Sequence, residues 1–252
     1  TDTGPGVPDE DRARVVEPLS LKLRNSTAYS LPPPSQGLAS LLILGLFARL
    51  GVRQGETPAH HHGLIEAVKR AFALRDRVVT DPREVAHDLA GLLQPDALER
   101  EAARIDARRA APVLPTEPAD GEAAWMGCID KDGLAVSYTQ SVHWAFGSGC
   151  VLPATGVHWH NRGLGFSLDP ASLNPLEPGR KPFHTLNPGL AAFDDGRVIV
   201  VGASGGNAQA QVMAQVFIRY AEFGMAPSDA VEAPRWLLSK DRDAPAPTLK
   251  LE

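Results

Sequence analysis

Gly202-Ala203-Ser204-Gly205-Gly206 matches G-x-S-x-G directly after the apolar run Arg197–Val201 and ahead of an amphipathic stretch. A serine on a strand-to-helix turn is how a hydrolase nucleophile elbow is built, with a base histidine later in the chain. The last histidine here is His184, before Ser204. A serine esterase using Ser204 therefore lacks its base within this chain and stands only as an alternative. Two consecutive glycines, Gly205 and Gly206, at a helix start offer backbone N–H groups to an anion or oxyanion. A tight strand-to-helix turn is the plainer reading of the same residues.

The other residues able to do chemistry are sparse. His158 and His160 lie two apart on an expected strand and share a face, and His60–His62 form a run just before an expected helix. Neither matches a zinc spacing, and no third ligand follows, so surface or packing roles are expected and no metal. Cys128 and Cys150 stand in apolar strand contexts and are expected to be buried free thiols. There is no Walker loop and no G-x-G-x-x-G after a first strand. No cofactor is expected.

The elements that must hold these residues fall into two textures. From Gln36 to about Arg109 the apolar spacing is helical: one helix from Gln36 stops at Gly51, and another places Leu64, Ile65, Val68 and Phe72 near one face. Asp81–Pro82 reads as a further helix start, and 96–110 as a charged surface helix. The Pro-rich stretch 111–122 reads as an exposed loop. Beyond it the period changes to two, with hairpins turning at Asp132–Gly133 and Asp195–Gly196. An amphipathic helix closed by Gly224 follows, then a short one with Ser228 as its expected N-cap. This is an α+β pattern with antiparallel strands, read as one domain over 1–252, helical up to 122 and strand-rich from 123.

Composition limits the function classes. The 252 residues are 43% hydrophobic and 22% charged, with 25 basic against 30 acidic side chains and a net charge of −5. A folded globular chain is expected, with no electrostatic case for nucleic acid. The longest apolar run, Leu38–Leu46, falls far short of the ~20 residues of a membrane span. The N-terminus has no signal-peptide core, so a cytoplasmic protein without a membrane partner is expected. The chain ends at LKLE in what reads as a strand, which keeps open that it is a portion of something larger.

One ordered set of motifs is specific. Pro32-Pro33-Pro34-Ser35-Gln36-Gly37-Leu38 resembles the PPPSSGG signature of γ-glutamyltranspeptidases. The stretch ending IDKDGLAVS, FGSG (146–149), PGRKPFHTLNP (178–188), GASGG (202–206) and FGMAPSDAVEAPRW (223–236) continue the match in order. PPPSQGLASL, GVHWHNRG and KPFHTLNP look most like the oxamate amidohydrolase-like branch. The resemblance implies a four-layer αββα N-terminal-nucleophile sandwich, made as one precursor that cleaves itself before a threonine. That threonine then becomes the nucleophile for amide hydrolysis or acyl transfer. A large-subunit portion would be a partner, as would a small-molecule amide substrate, and self-association stays open.

The same resemblance puts the nucleophile at Ala123, which has no hydroxyl. An engineered Thr→Ala change, a natural inactive paralogue with a binding or regulatory role, and a different register all stay open. As given, the chain is expected to be unprocessed and inactive. The family's second hydroxyl falls at Ser141, and its oxyanion glycines at Gly205 and Gly206. The substrate side falls to His143, Arg162 and the pair His184-Thr185, the latter replacing paired serines. The acidic residue that grips a glutamyl ammonium falls at Gly165 and is lost. A lost carboxylate beside a guanidinium at Arg162 favours an acid such as an oxamate-like carboxylate over glutathione; an exposed loop charge is the plain reading of Arg162.

Overall fold

The computed structural model describes residues 16–113, 121–240 and 247–252. Its centre is α1 (Gly37–Phe47), in which every residue is buried. A helix apolar on all sides is stable only when other elements surround it, and α1 is packed by α2 (Pro58–Val78), α4 (Pro95–Ala102), α5 (Ala208–Ala221) and the strands β1 (Leu19–Lys22) and β2 (Ser26–Ser30). Gly45 permits part of this: an added Cβ would stand 2.8 Å from Leu98 Cδ1 on α4. Thr57 caps α2 by accepting from the His60 amide at 3.2 Å, with Pro58 in the first turn.

A four-stranded antiparallel sheet in the order β1-β2-β7-β8 lies beside these helices, with β7 (Gly189–Phe193) and β8 (Val198–Val201) joined at the expected Asp195–Gly196 turn. The hairpin of β3 (Glu122–Ile129) and β4 (Ala135–His143) turns at Asp132–Gly133, as expected. It leans on β8: Ser137 donates to the Val201 carbonyl at 3.2 Å, and the Trp125 indole donates to Ser137. Gly202 leaves room for that indole, which an added Cβ would overlap. β5 (Val151–Leu152) and β6 (Val157–His158) form a two-residue ladder, so the strand expected to carry both His158 and His160 stops at His158.

Two buried glutamines on α5 take the part of a strand. Gln211 donates to Leu238 O at 3.0 Å and accepts from Leu238 N at 2.9 Å. Gln215 does the same for Trp236, at 2.9 and 3.1 Å. Side chains four apart on a helix thus satisfy backbone groups two apart on β9 (Trp236–Ser239), whose other edge pairs with β10 (Thr248–Leu251).

Several expectations need correction. Asp81–Pro82 starts no helix; α3 is one turn, Leu89–Leu92, capped by Asp88. Asp81 is instead wholly buried, accepting from the amides of Arg83 and Lys181 at 2.9 and 2.6 Å and from the Arg83 guanidinium. The charged helix ends at Ala102. His60–His62 lie inside the first turns of α2, and His60 is buried. Pro227 takes the first position of α6 (Pro227–Glu232), so Ala226 and not Ser228 is the capping residue. Cys128 and Cys150 are exposed: Cys128 lies on an outer face of β3–β4 that leaves Met126, Val136 and Tyr138 uncovered, and Cys150 lies just before β5. Much of the Pro-rich loop, 114–120, lies outside the described residues.

Candidate active site

The Pro-rich turn before α1 is the floor of the site. Ser35 pairs with His184, and the backbone exchanges Gln36 N→His184 O at 3.1 Å and His184 N→Pro34 O at 3.0 Å. The Ser35 hydroxyl donates to Leu186 O. Asn187, wholly buried, accepts from Ser30 at 2.7 Å and donates to Ser40 on α1. These contacts strap 184–187 across the start of α1. Gly37 is required there, because an added Cβ would overlap the Leu31 carbonyl.

Above this floor a cavity of about 590 Å³ is lined by residues that include Arg75, His143, Arg162, His184, Thr185 and Gly206. Gly121 and Asn207 also border it, whereas Ser204, exposed on the turn, does not. The turn carries two left-handed glycines, Gly205 at φ 92° and Gly206 at φ 53°, a conformation open to glycine at little cost. β3 enters directly over it: a Cβ on Gly121 would stand 2.9 Å from Gly206 Cα and 3.1 Å from Gly206 N. Ala123, half-buried, follows two residues later. The Ser141 hydroxyl donates to the Glu122 carbonyl and accepts from the His143 amide at 2.8 Å. His143 is held at φ 84°, a strained setting for a side chain with a Cβ.

Two guanidiniums, Arg75 and Arg162, line the cavity against one carboxylate, Asp76, which pairs with Arg75 at 2.7 Å. Arg162 opens a short 3₁₀ turn, Arg162–Gly165, and donates to Ser141 O at 3.3 Å. Burial lowers its pKa from the usual guanidinium value, and among the described residues no carboxylate pairs with it. Burial, then the charge of Arg162, depresses His184 to about 4, so its imidazole is neutral at pH 7. Gly165 has no room for a side chain: an added Cβ would meet the Phe183 carbonyl at 2.6 Å. A carboxylate at that position is sterically barred.

His143, Arg162, His184, Thr185 and Gly206 thus line one cavity, with Ala123 and Ser141 at the adjoining end of the β3–β4 hairpin and Gly205 on the turn beside Gly206. The other histidines do not line the cavity: His158 contacts Phe146 O at 2.7 Å, and His160 accepts from the Arg162 amide at 3.1 Å. Glu56, His60 and His61 do bring potential ligand atoms within 4.8 Å of one another. Arg219 already donates to both Glu56 oxygens at 2.8 and 3.1 Å, and the Glu56 amide donates to His60 Nδ1 at 3.0 Å. The donor set is committed to an ion pair and a turn.

Sequence reasoning missed Gln36 and Arg75, both buried beneath the cavity. A signal for Arg75 was present. Leu64, Val68, Ala71, Phe72 and Val78 form the core face of α2, and Arg75 falls on that face by spacing. A charge placed among core positions has a partner to serve.

The Gamma-glutamyltranspeptidase family model matches residues 10–243. An oxamate amidohydrolase proenzyme from Klebsiella pneumoniae is 46% identical over 241 residues, covering 96% of this chain and 46% of that protein. A glutathione hydrolase-like YwrD proenzyme from Bacillus subtilis is 35% identical over 230 residues, covering 90% and 43%. Among solved structures, a cephalosporin acylase from Bacillus halodurans superposes with a TM-score of 0.81 at 34% identity, over 89% of this chain and 41% of that one. The chain spans about half the length of the curated relatives it matches. No helix among the described residues is long and apolar enough to cross a membrane.

Proposed function

This chain belongs to the γ-glutamyltranspeptidase family and has an N-terminal-nucleophile hydrolase fold, and on that premise we propose that it is the unprocessed form of an amidohydrolase site for a small acidic amide, oxamate-like, with Ala123 at the nucleophile position. The observation that carries the reading is the Ser141–Glu122 contact beside Gly206, with Arg162 on the same cavity.

With threonine at 123, its Oγ would attack the Glu122 carbonyl carbon, whose oxygen Ser141 already polarises. The peptide nitrogen leaves with a proton as the free α-amine, and water splits the resulting ester, regenerating the hydroxyl. The new amine, with a pKa near ~8, becomes the base beside the hydroxyl. Substrate hydrolysis repeats the chemistry on an amide carbonyl, its oxyanion facing the Gly205 and Gly206 amides. Arg162 supplies a charge for a substrate carboxylate, and His184, neutral, adds no competing cation. The large-subunit portion and the amide substrate are the partners this requires.

Alanine at 123 removes the attacking atom, which also favours a second reading, a binding or regulatory protein on the same scaffold. The Ala123→Thr protein separates the two, tested as this chain and in a chain extended by the length its relatives carry. Cleavage between 122 and 123 with hydrolysis of oxamate supports the enzyme. Oxamate binding without either reaction supports the binding protein.

A further inference from the structure

Gln36 departs from the PPPSSGG pattern, where a serine stands, and its side chain is wholly buried. Both Nε2 protons are used across the site: one to Thr185 O at 2.8 Å, one to Gly206 O at 3.1 Å. Its Oε1 accepts from Arg75 Nη1 at 3.0 Å. The same Nη1 donates to Asn207 Oδ1 at 2.7 Å, while Nε is tied to Asp76 at 2.7 Å. The Arg75 guanidinium also lies 4.2 Å from the centre of the Phe72 ring and 5.3 Å from that of Phe183. One amide and one guanidinium therefore bridge α1, α2, the 184–187 strap and the turn that leads into α5.

We propose that Gln36 is a positioning residue for the Gly205–Gly206 turn, holding the Gly206 and Thr185 carbonyls at a fixed separation, with Arg75 holding Gln36 and Asn207 in turn. The need for such a device follows from the turn itself. Two successive glycines at positive φ have many alternative conformations of similar energy. An oxyanion site works only if its N–H groups are aimed before charge develops. The Gly206 carbonyl accepts from Gln36 and from Gln209 N at 3.2 Å, and that pair of donors fixes the peptide following Gly206. A serine at 36 has one proton on a short side chain and cannot span both carbonyls.

The kinetic arm of the test rests on the proposed reaction; the structural arm does not. In the chain as it stands, Gln36→Glu keeps the size and the Arg75 partner but removes both N–H donors, and Gln36→Ser installs the residue of the family signature. Amide exchange by NMR is expected to quicken at least tenfold at Ala208 and Gln209, which bond to the Gly205 and Gly206 carbonyls at 2.8 and 3.2 Å. Exchange at Leu42–Leu44 inside α1 should not change. In the Ala123→Thr background the same variants should lose about ten- to a hundredfold in kcat with KM within threefold, less than the ~10²–10³ of deleting an oxyanion donor. Unchanged exchange at Ala208 and Gln209 overturns the proposal, as does unchanged kcat in an active background. If the Ala123→Thr protein is inert but local exchange quickens, the reaction is wrong and the positioning role stands.

Discussion

Ser141 donates its hydroxyl to the carbonyl oxygen of Glu122, the residue that precedes Ala123, the proposed nucleophile position. In the proposed reaction, the partner strand thus polarises the peptide carbonyl that self-cleavage would attack. In an Ala123→Thr background, Ser141→Ala is expected to slow cleavage at 122/123 about a hundredfold, the scale of losing one preorganised donor. A time course of fragment appearance on a denaturing gel checks this. An unchanged rate would remove Ser141 from the mechanism.

Without that threonine the chain should stay whole. Prolonged incubation is expected to leave a single 26.9 kDa species by intact mass. Losing a nucleophile outright leaves at most ~10³–10⁴ over water in serine-protease precedents, too slow to see on an amide. Two fragments meeting at 122/123 would mean that another group attacks.

Arg162 should decide anion affinity. Calorimetric titration of the chain with oxamate is expected to weaken at least tenfold in Arg162→Ala. Arg162→Lys should recover only part of the loss, since a lysine keeps the charge but not the planar fork. Equal affinity in all three proteins would leave Arg162 as a packing residue.

Asp81 should matter most for stability. Its contacts with Arg83, first through the side chain, and with the Lys181 and Arg83 amides hold its carboxyl far below the usual carboxylate range. A depressed carboxylate adds stability that is present above the unfolded pKa near 4 and lost as pH falls below it. Asp81→Asn is expected to cost about 2–3 kcal/mol at pH 7, the scale of losing charge-assisted hydrogen bonds. Its urea unfolding free energy should also fall less steeply than that of the parent below pH 4.

The histidines act in a different window. His60 and His184 are both pushed down to about 4, chiefly by burial. Each stays neutral in the folded chain while the unfolded chain takes up a proton near pH 6.5. Stability is therefore full above about pH 6.5 and declines as pH falls towards 4. Urea midpoints at pH 7, 5.5 and 4.5 should trace the decline, and His60→Phe should make it shallower. His60 packs edge-on to Phe47 and Phe223, so an aromatic replacement fits the site.

Local chemistry was legible where one residue type forces one backbone. The Asp-Gly turns at 132–133 and 195–196 stand where expected, as does the glycine at 224 with φ 69°. The candidate site could be drawn from the sequence only through ordered motifs, because Ala123, Ser141, Arg162, His184 and Gly206 come from five separate segments. Period-two alternation marked two faces on the β3–β4 hairpin but carried no information on which was covered, so the exposure of Cys128 was missed. The glutamines of α5 read as polar interruptions of an apolar face. Their pairing with β9 depends on a strand more than twenty residues away.

The outer face of the β3–β4 hairpin has a practical use. Cys128 pairs across the ladder with Val136, between the exposed Met126 and Ile129, and offers an accessible thiol there. A Cys150→Ser chain would accept one maleimide dye, at that position alone. Fluorescence from this label would change whenever another polypeptide or a ligand settled on the hairpin. The chain therefore carries its own attachment point for an optical reporter, five strand residues or roughly 17 Å along β3 from Ala123.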